Sequence, residues 1–428
     1  MSSVVISAAV VVMLTFLFLK FPVYVSVLAG SVTYFILSPD LPAQIMAQRV
    51  IAGIESIPLL AIPFFVCSGV IMNYSGVTTR IMRFCEVVMR KVPGGLAQVN
   101  VLLSTLMGGL SGSNLADAAM EAKMLVPEME KKGFSREFSS VVTAVSAMIT
   151  PLIPPGIAMI IYGSIANVSI GRLFIAGIGP GLLLCIAMMI LVGIISFRRR
   201  YTTEMTEQVS LGKAFLDALP PLLLPIIIIG GIRLGVFTPT EAGAVAIIYA
   251  VVLSLIYREF RIANVFQALK ETVATTASIM MIVGAASAFA WILTRERIPQ
   301  QVTAFIVSSV SNKYVFLLMI NVFLLFVGMF IEGNAAMIVL VPLLVPVARA
   351  FGINDIQFAM IFIFNNAIGA ISPPMGTLMF VTCGITKCKI AFFIREAVPF
   401  YIMLLVCLLL LTFVPFFSLT LVNLVWGP

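Results

Sequence analysis

The segment 96–123, LAQVNVLLSTLMGGLSGSNLADAAMEAK, decides how this chain folds. Its apolar first part, 96–110, would form about 22 Å of helix, which is shorter than the roughly 30 Å hydrocarbon core of a bilayer. The polar sequence GLSGSN (109–114) ends this helix, and a second helix with two carboxylates and a lysine follows it. We therefore predict a re-entrant hairpin here instead of a complete crossing.

A second segment repeats the pattern of the first. The apolar run 315–331 stops at the sequence EGN (332–334), and another apolar helix then returns to Arg349. Each predicted hairpin is followed by a crossing that prolines interrupt, with the sequences TPLIPPG at 150–156 and ISPPMGT at 371–377. The two halves of the chain thus carry the same order of hairpin and broken helix.

The spacing of these features indicates an internal repeat. The sequence numbers of Pro154 and Pro373 differ by 219 (373 − 154). Two further pairs keep this offset to within one position, namely Pro180 with Pro399 and Asn114 with Asn334. Because an odd number of predicted crossings separates the hairpins, the second hairpin enters from the opposite face, and the repeats are inverted.

The composition is that of an all-α polytopic membrane protein. Of the 428 residues, 61% are hydrophobic and only 10% are charged, against about 25% charged residues in soluble domains. Long continuous apolar runs favour a helical bundle over a β-barrel, whose strands alternate polar and apolar residues. The sequence contains no histidine, which excludes His-ligated haem, zincin motifs and catalytic Ser-His or Cys-His pairs. The six cysteines show no CxxC spacing, so no disulfide framework is expected.

The charge pattern predicts the orientation in the membrane. The formal charge of +8 is interpreted as a topology signal and not as affinity for nucleic acid, because most basic residues fall on one side of the predicted path. Lys20 follows the first apolar run, so we expect a retained first helix and both termini outside the cytoplasm. The polar segment 198–213 is predicted to be a loop. The predicted crossings lie near 4–19, 21–37, 58–73, 138–167, 173–196, 214–232, 241–257, 272–293, 356–385 and 397–424.

The prolines of the broken crossings point to ion binding. Proline has no N–H, so Pro151, Pro154 and Pro155 should leave the carbonyl oxygens of Ala147, Thr150 and Pro151 at membrane depth without their helical donors. Neutral oxygens beside a tip rich in Gly, Ser and Asn suit a dehydrated Na⁺, and helix N-termini offer partial positive charge to an anion. The alternative interpretation is ordinary proline kinks whose carbonyls bond to Ser, Thr or water. The paired occurrence of the breaks favours ion sites.

These features predict two Na⁺ sites and one substrate site. The first Na⁺ site comprises Ser113, Asn114, Ala147, Thr150 and Pro151. The second comprises Gly333, Asn334, Gly369, Ala370 and Ser372, where Pro373 and Pro374 should free the carbonyls of Gly369 and Ala370. The predicted substrate site comprises Ser111, Ser113, Pro155, Asn365, Asn366, Pro374 and Thr377.

The acidic side chains have different expected roles. Asp117 and Glu121 lie one helical turn apart on one helix face, where ion coupling and a structural charge cluster with the nearby lysine both remain open. Glu241 follows the helix start TPT and is interpreted as an N-terminal cap. Glu332 at the second tip is ambiguous. The basic stretch 80–91 is predicted to be an amphipathic surface helix instead of a nucleic-acid site.

Three motifs resemble a known family. Residues 109–117 (GLSGSNLAD), 150–155 (TPLIPP) and 369–376 (GAISPPMG) resemble, in this order, the signature segments of the large membrane subunit of tripartite ATP-independent periplasmic (TRAP) transporters, the DctM-like family. Asn114 departs from the small residue of many relatives, which leaves the role of its side chain open. The resemblance extends over essentially the whole chain.

The resemblance implies a function and partners. It implies a Na⁺-driven secondary importer in the bacterial inner membrane with an elevator mechanism, and no enzymatic activity. A smaller four-helix membrane subunit, expected as a separate chain because nothing precedes Val4, would widen the scaffold. A soluble periplasmic substrate-binding protein would deliver an organic acid such as a sialic acid or a C4-dicarboxylate. No nucleic-acid partner is expected.

The resemblance also implies a division of the chain. Scaffold helices occupy 1–91 and 198–312, the two repeats of the transport domain occupy 92–197 and 313–396, and a C-terminal helix occupies 397–428. In the implied mechanism, the transport domain slides against the scaffold and carries the substrate with it.

Other classes of protein share some of these sequence features. The sequence GLSG at 109–112 matches the GxSG of intramembrane serine proteases, but their dyad needs a histidine, which this chain lacks. An ATP-driven permease could take its ATPase from another chain, although paired broken helices argue against it. A channel should show a continuous pore. A divalent-anion/Na⁺ symporter that works without a receptor is the main alternative.

Overall fold

The computed structural model describes residues 2–201, 210–259, 261–310 and 312–427. Within these ranges the regular structure consists of helices. Of the loop predicted over 198–213, residues 202–209 lie outside the described ranges, helix extends to Arg199 on one side, and it resumes at Leu211 on the other. Along the chain, the helices fall into four groups.

The N-terminal group carries the first predicted crossings. Its helices are α1 (Ser2–Phe18), α2 (Val23–Leu37), α3 (Gln44–Ile54), α4 (Ala61–Tyr74, preceded by the 3₁₀ turn Ile57–Leu60) and α5 (Val77–Met89). The basic stretch beginning at Arg80 is the predicted amphipathic helix, since α5 buries Ile81 and Cys85 and leaves its arginines at the surface. Helix α3 was not predicted, because its sequence is neither long nor apolar enough for a crossing.

The second group contains the first hairpin and the first broken helix. It comprises α6 (Gly95–Ser111), α7 (Asn114–Lys131), α8 (Arg136–Ser146), the 3₁₀ helix Ala147–Leu152, α9 (Ile157–Ala166) and α10 (Ile170–Arg199). The two halves of the broken helix meet at an angle of 43°. The hairpin and the interruption predicted from the sequence are therefore confirmed.

The third group joins the two repeats. Its helices are α11 (Leu211–Arg233), α12 (Pro239–Ile256), α13 (Ile262–Arg295) and α14 (Ile298–Ser309). Glu241 caps α12 as predicted: the Thr238 N–H donates to Glu241 Oε2 over 2.7 Å, and the Glu241 N–H donates to Thr238 Oγ1 over 3.2 Å. This reciprocal pair is a capping box, and it satisfies two N–H groups at the helix start.

The fourth group repeats the second and adds the C-terminus. It comprises α15 (Lys313–Gly328), α16 (Gly333–Ala350), α17 (Asp355–Gly369), α18 (Thr377–Thr386), α19 (Ile390–Phe413) and α20 (Phe416–Trp426). The single crossing predicted over 397–424 is therefore wrong. The helix begins earlier, at Ile390, and stops at Val414 because Pro415 cannot continue its hydrogen bonds.

Seven helical segments within the described ranges are long and apolar enough to cross a membrane, and the broken helix of the first repeat adds an eighth. They are Ile57–Tyr74, α10, α11, α12, α13, α16 and α19. The six cysteines are all free and buried, as expected for small apolar side chains. The chain is thus a polytopic helical membrane protein.

The repeat seen in the sequence is also present in the helix boundaries. Helix α16 begins and ends at an offset of 219 from α7 (333 − 114 and 350 − 131), and α18 begins and ends at an offset of 220 from α9 (377 − 157 and 386 − 166). The correspondence extends over five helices in each repeat. The matching pairs are α6 with α15, α7 with α16, α8 with α17, α9 with α18 and α10 with α19.

The two repeats exchange packing partners. Helix α7 packs against α18 and α16 packs against α9, so the second arm of each hairpin lies on the distal half of the other repeat's broken helix. Helices α10 and α19 pack in the same reciprocal way, α10 on α17 and α19 on α8. A two-fold relation between the repeats produces this exchange.

Helices α2, α3, α4, α5, α11 and α12 build a second layer around α13, whereas α14 packs mainly on α16 and α20 packs on α10. Helices α2, α3 and α4 pack against α13, α12 packs against α4, and α11 packs against α5 and α12. A separate apolar cluster joins α1, α2 and the C-terminal half of α13, with Phe35 stacked on Trp291 at a ring-centroid distance of 5.9 Å. Helix α13 also touches the repeats, through α16.

Candidate functional site

The tip of the first hairpin turns at Gly112. Its φ of +62° is a conformation that glycine adopts without steric cost. A Cβ atom at this position would lie 2.9 Å from the Pro155 carbonyl oxygen. Ser113 then starts α7, and its Oγ accepts the Ala116 N–H over 3.4 Å. The first tip is therefore held directly against the first break.

The tip of the second hairpin is capped by a carboxylate. Glu332 corresponds to Ser113 in the repeat (332 − 113 = 219), and its Oε2 accepts the Ala335 N–H over 3.0 Å. This geometry settles its structural role as the N-terminal cap of α16. The Asn366 side chain donates to the Gly333 carbonyl over 3.0 Å and so ties the tip to α17.

The first break leaves two carbonyl oxygens without helical donors. The Ile153 N–H donates to the Ile149 carbonyl oxygen over 3.2 Å, and the two residues after Ile153 are prolines. The carbonyls of Thr150 and Pro151 therefore receive no hydrogen bond from the following turn, as predicted. The expectation that the Ala147 carbonyl is also freed is wrong, because this carbonyl lies inside the 3₁₀ helix, whose i→i+3 pattern supplies the Thr150 N–H.

The second break does not repeat this feature. The Ser372 N–H donates to the Gly369 carbonyl over 3.0 Å, and the Leu378 N–H donates to the Ala370 carbonyl over 2.8 Å. The expectation that Pro373 and Pro374 free these two oxygens is wrong, because the chain turns back and supplies other donors. The two breaks are therefore related in fold but differ in the oxygens they leave available.

A cavity of about 490 Å³ lies between the two tips and the two breaks. The beginnings of four helices converge on it: α7 at Asn114, α9 at Ile157, α16 at Gly333 and α18 at Thr377. Helices α9 and α18 have no side-chain cap, so the N–H groups of Ile157 and Ala158 on α9 and of Thr377 on α18 are available to another acceptor, whereas the Leu378 N–H already bonds to Ala370. Each helix start carries partial positive charge.

The side-chain charge at the cavity is negative, opposite to the partial positive charge of the helix starts. No lysine or arginine from the described ranges lines it, and its carboxylate, from Glu332, already accepts the Ala335 N–H. An anion in this cavity would therefore be held by backbone N–H groups and helix dipoles instead of a basic side chain.

The structure brings together part of each predicted site. In the first Na⁺ site, Ser113, Asn114 and Pro151 line the cavity, whereas Ala147 and Thr150 are buried behind it. In the second, the lining residues are Gly333, Asn334 and Ala370. Gly369 packs on the Gly328 backbone, and Ser372 turns its hydroxyl to the Ile368 carbonyl over 2.8 Å.

The predicted substrate residues divide in the same way. Ser113, Asn366 and Thr377 line the cavity, whereas Ser111, Pro155, Asn365 and Pro374 do not. Asn365 faces the other side of α17 and donates to Asn321 Oδ1 over 2.9 Å. Asn366, the next residue, is 6% exposed, and its Oδ1 is buried without a partner.

Asp117 lies behind the first tip and is completely buried. Its Oδ2 accepts the Ser111 hydroxyl over 2.6 Å and the Thr150 hydroxyl over 2.8 Å. Its Oδ1 is buried without a hydrogen-bond partner. The hydroxyl of Thr150 thus links this carboxylate to the break that leaves carbonyl oxygens unpaired.

The charge-cluster interpretation of α7 has little support in the geometry. Glu121 is completely buried and lies within hydrogen-bond distance of the Ser104 hydroxyl, 2.8 and 2.7 Å from its two oxygens. Lys123 is exposed and lines a separate surface pocket together with Glu130 and Thr386. Lys123 therefore lies apart from the two buried carboxylates, Asp117 and Glu121.

Three polar residues of the cavity were not predicted from the sequence. They are Tyr24 at the start of α2 and Thr275 and Ser278 on α13. They lie far along the chain from both hairpins, and hydroxyl residues in an apolar helix are too common to attract notice. The spacing of Thr275, Ser278 and Ile282, close to one helical turn each, is the only signal that could have grouped them.

Clusters of carboxylate, cysteine and histidine that could hold a transition metal are absent from the described ranges. The oxygen atoms near the cavity that could coordinate a cation belong to hydroxyls, amides and backbone carbonyls, together with the carboxylates of Glu332 in the lining and Asp117 behind it. Such hard oxygen ligands suit an alkali cation better than Zn²⁺ or Fe²⁺.

Two hairpins, two broken helices and a cavity at their junction define a class of helical membrane protein built from two related repeats. The family model described as "Tripartite ATP-independent periplasmic transporter, DctM component" matches residues 10–417. The chain therefore belongs to the DctM family of TRAP transporters, as the sequence motifs indicated.

Several curated proteins are similar over nearly their full length. The sialic acid TRAP transporter large permease protein SiaM of Vibrio cholerae is 39% identical over 417 residues, which cover 96% of this chain and 97% of SiaM. DctM of Pseudomonas aeruginosa, a C4-dicarboxylate large permease, is 36% identical over 92% of this chain and 93% of its own. The permease SiaT of Haemophilus influenzae is longer, and the match covers 66% of it at 34% identity.

A solved structure shares the fold. The YdaH transporter of Alcanivorax borkumensis superposes with a TM-score of 0.65 over 87% of this chain and 88% of its own, at 14% sequence identity. At this identity the likeness shows the architecture alone.

Proposed function

We propose that this chain is the membrane subunit through which an organic acid anion enters the cell, driven by a Na⁺ gradient. The observation that carries the proposal is the convergence of four helix N-termini on one cavity that no lysine or arginine of the described ranges lines. Such a site holds a carboxylate through dipoles and N–H groups and releases it more readily than a salt bridge would. The names of SiaM and DctM support sialic acids and C4-dicarboxylates as the substrate class.

The proposed coupling ion binds beside the first break. The free carbonyls of Thr150 and Pro151 and the hydroxyl and amide oxygens of Ser113 and Asn114 offer neutral ligands, and the buried Asp117 supplies a compensating charge. At the second break, the Gly333, Asn334, Gly369, Ala370 and Ser372 set is proposed as a second Na⁺ site. Its ligands would have to come from second lone pairs, because the Gly369 and Ala370 carbonyls already accept hydrogen bonds.

We infer an elevator mechanism from the two layers of the fold. The repeats, 92–197 and 313–396, would move as one transport domain, since their helices exchange partners. The layer around α13, in 1–91 and 198–312, would stay in place as the scaffold. The cavity lies where the two layers meet, so such a movement would carry its contents across the membrane.

Family membership supports the proposal of two partners and a location. A small four-helix membrane subunit would extend the scaffold, and a periplasmic substrate-binding protein would deliver the acid. The additional third of SiaT that this chain does not match leaves room for a fused small subunit. The bacterial inner membrane, with both termini periplasmic, is the proposed setting.

Uptake into proteoliposomes tests the proposal. The chain, reconstituted with its small subunit and receptor, should accumulate N-acetylneuraminate, succinate or malate when a Na⁺ gradient is imposed, and ATP should have no effect. Equal uptake with K⁺ in place of Na⁺ on both sides would contradict Na⁺ coupling. Robust uptake by the chain alone, without receptor, would instead identify a receptor-independent anion/Na⁺ symporter.

A further inference from the structure

One wall of the cavity comes from the scaffold layer and not from the repeats. Helix α13 contributes four residues at successive turns of one face, namely Thr275, Ser278, Ile279 and Ile282. Two of them carry hydroxyl groups. Because α13 packs against α2, α3 and α4, this face belongs to the layer opposite the hairpin tips.

The hydroxyls on this face are available to a ligand. The Ser278 hydroxyl donates to the Ala274 carbonyl over 3.0 Å, which leaves its oxygen free to accept. Thr275 is exposed on the cavity side. Both residues therefore present oxygen acceptors to a molecule that lies between α13 and the helix N-termini.

The two walls of the cavity have different chemistry. The wall formed by the repeats offers N–H donors at the starts of α9 and α18, which match a carboxylate. The α13 wall offers hydroxyl oxygens between isoleucine side chains, which match O–H or N–H groups on a carbon skeleton. A bound acid would therefore be oriented with its carboxylate toward the repeats.

We propose that Thr275 and Ser278 are specificity-determining residues that bind the hydroxyl- or amide-bearing end of the transported acid. This inference rests on the proposed function and adds a substrate preference to it. Acids with hydroxyl or amide groups distal to the carboxylate gain hydrogen bonds to α13, whereas acids without such groups do not.

Uptake kinetics of variants test the assignment. The double variant Thr275→Val, Ser278→Ala should raise KM about five- to tenfold for an acid with distal hydroxyls, the size expected for one lost hydrogen bond or slightly more. The half-saturating Na⁺ concentration should not change. Thr294→Val is the matched control, because Thr294 lies on the same helix, is exposed and donates to the Ala290 carbonyl over 2.8 Å in the same way.

A labelling experiment tests contact directly, whether or not the double variant transports. Ser278→Cys should react with a small maleimide in proteoliposomes, since the six native cysteines are buried. The acid that the wild-type complex takes up from a panel of N-acetylneuraminate, malate and succinate should protect this cysteine when Na⁺ is present. Thr294→Cys should be labelled equally with and without the acid.

The outcomes separate the two proposals. Wild-type uptake with an unchanged KM in the double variant, or with no protection of the cysteine, would overturn the role of α13 and leave the proposed function intact. Absence of uptake of every acid in the panel by the complete wild-type complex would contradict the proposed function, and the inference would fall with it.

Discussion

At the scale of single residues, Asp117 is one of two completely buried carboxylates in the first repeat, the other being Glu121. The hydrogen-bond donors to Asp117 are neutral hydroxyls, and one of its oxygens has no partner. Placing an uncompensated carboxylate in such surroundings costs several kcal/mol. A Na⁺ ion held by the nearby carbonyls of Thr150 and Pro151 would offset this cost.

Replacing Asp117→Asn should therefore weaken Na⁺ binding while keeping the shape of the side chain. A loss of about 1.4 kcal/mol in ion binding corresponds to a tenfold rise in the half-saturating Na⁺ concentration, and we expect at least this change. A Na⁺ titration of uptake, normalised to inserted protein, measures it. Glu128→Gln on the same helix is the control, because Glu128 is exposed and pairs with Lys131 on the surface. Unchanged Na⁺ dependence in the Asp117 variant would exclude Asp117 from ion coupling.

Corresponding turns of the two repeats carry ion pairs of reversed polarity. Glu130 pairs with Arg136 between α7 and α8, and at the same repeat offset of 219 Arg349 pairs with Asp355 between α16 and α17 (349 − 130 and 355 − 136). Arg349 also donates to the Ala166 carbonyl over 3.0 Å, at the end of α9. The second pair therefore also fastens one repeat to the other.

This difference predicts unequal effects of two substitutions. Asp355→Asn should lower stability by less than about 1 kcal/mol, because the pair is exposed to solvent. Arg349→Met should cost more, since it also removes the hydrogen bond to Ala166. Thermal unfolding of the detergent-solubilised variants ranks them. Equal melting temperatures for the two would show that the bond to Ala166 contributes nothing.

Side-chain direction was the part of the site that the sequence could not supply. Asn365 and Asn366 are neighbours, yet Asn365 bonds to Asn321 and Asn366 faces the cavity. Adjacent residues on a helix point about 100° from each other, so choosing between them requires the positions of the surrounding helices. The polar residues at the tips were found because their chemistry is local.

At the scale of helices, the contact between α15 and α17 depends on two glycines. A Cβ at Gly369 would lie 2.6 Å from the Gly328 backbone, closer than real Cβ contacts come. The three atoms nearest to this Cβ all belong to the Gly328 backbone, which cannot move aside as a flexible side chain can. The first arm of the second hairpin, α15, and the second broken helix therefore approach each other at this point as closely as backbone permits.

Gly369→Ala should separate these helices and destabilise the protein by about 1–3 kcal/mol, the usual cost of overpacking. Gly384→Ala is the matched control, because a Cβ at Gly384 on α18 meets nothing within 4 Å. The control should leave the melting temperature unchanged or raise it slightly, since alanine favours helix. A Gly369 variant with the same melting temperature as the wild type would show that the helices can shift without loss of stability.

The hairpins were predictable and two connecting helices were not, for physical reasons. A polar Gly-Ser-Asn tip inside an apolar run has few solutions in a membrane, so GLSGSN at 109–114 already indicates a hairpin. Helices α3 and α14 are short and of mixed composition, so hydropathy does not distinguish them from loops. The second break retained its prolines but not its free carbonyls, because Leu378 supplies a donor from beyond the interruption.

At the scale of the whole molecule, the proposed elevator requires relative movement at the cavity and none within the scaffold. The cavity contains Asn334 from the second tip and Thr275 from α13, which belong to different layers. Tyr34 and Glu296 both belong to the scaffold layer and are joined by a hydrogen bond between α2 and the end of α13.

A bifunctional maleimide should therefore abolish uptake when it joins Thr275→Cys to Asn334→Cys. The same reagent applied to Tyr34→Cys with Glu296→Cys should leave uptake at the level of the unlinked variant. Mass spectrometry of the treated protein confirms each cross-link before transport is measured. Full activity with the first pair linked would rule out sliding of the repeats against α13.

The exchange of helices between the repeats bears on how the protein is synthesised. Helix α7 emerges from the ribosome long before its packing partner α18, and α9 is likewise synthesised long before its partner α16. During this interval Asp117 and Glu121 on α7 already have their hydroxyl partners from the first repeat, but the face of α7 that packs against α18 is still uncovered. We therefore expect the first half of the protein to reach its final packing only when the second half has been inserted.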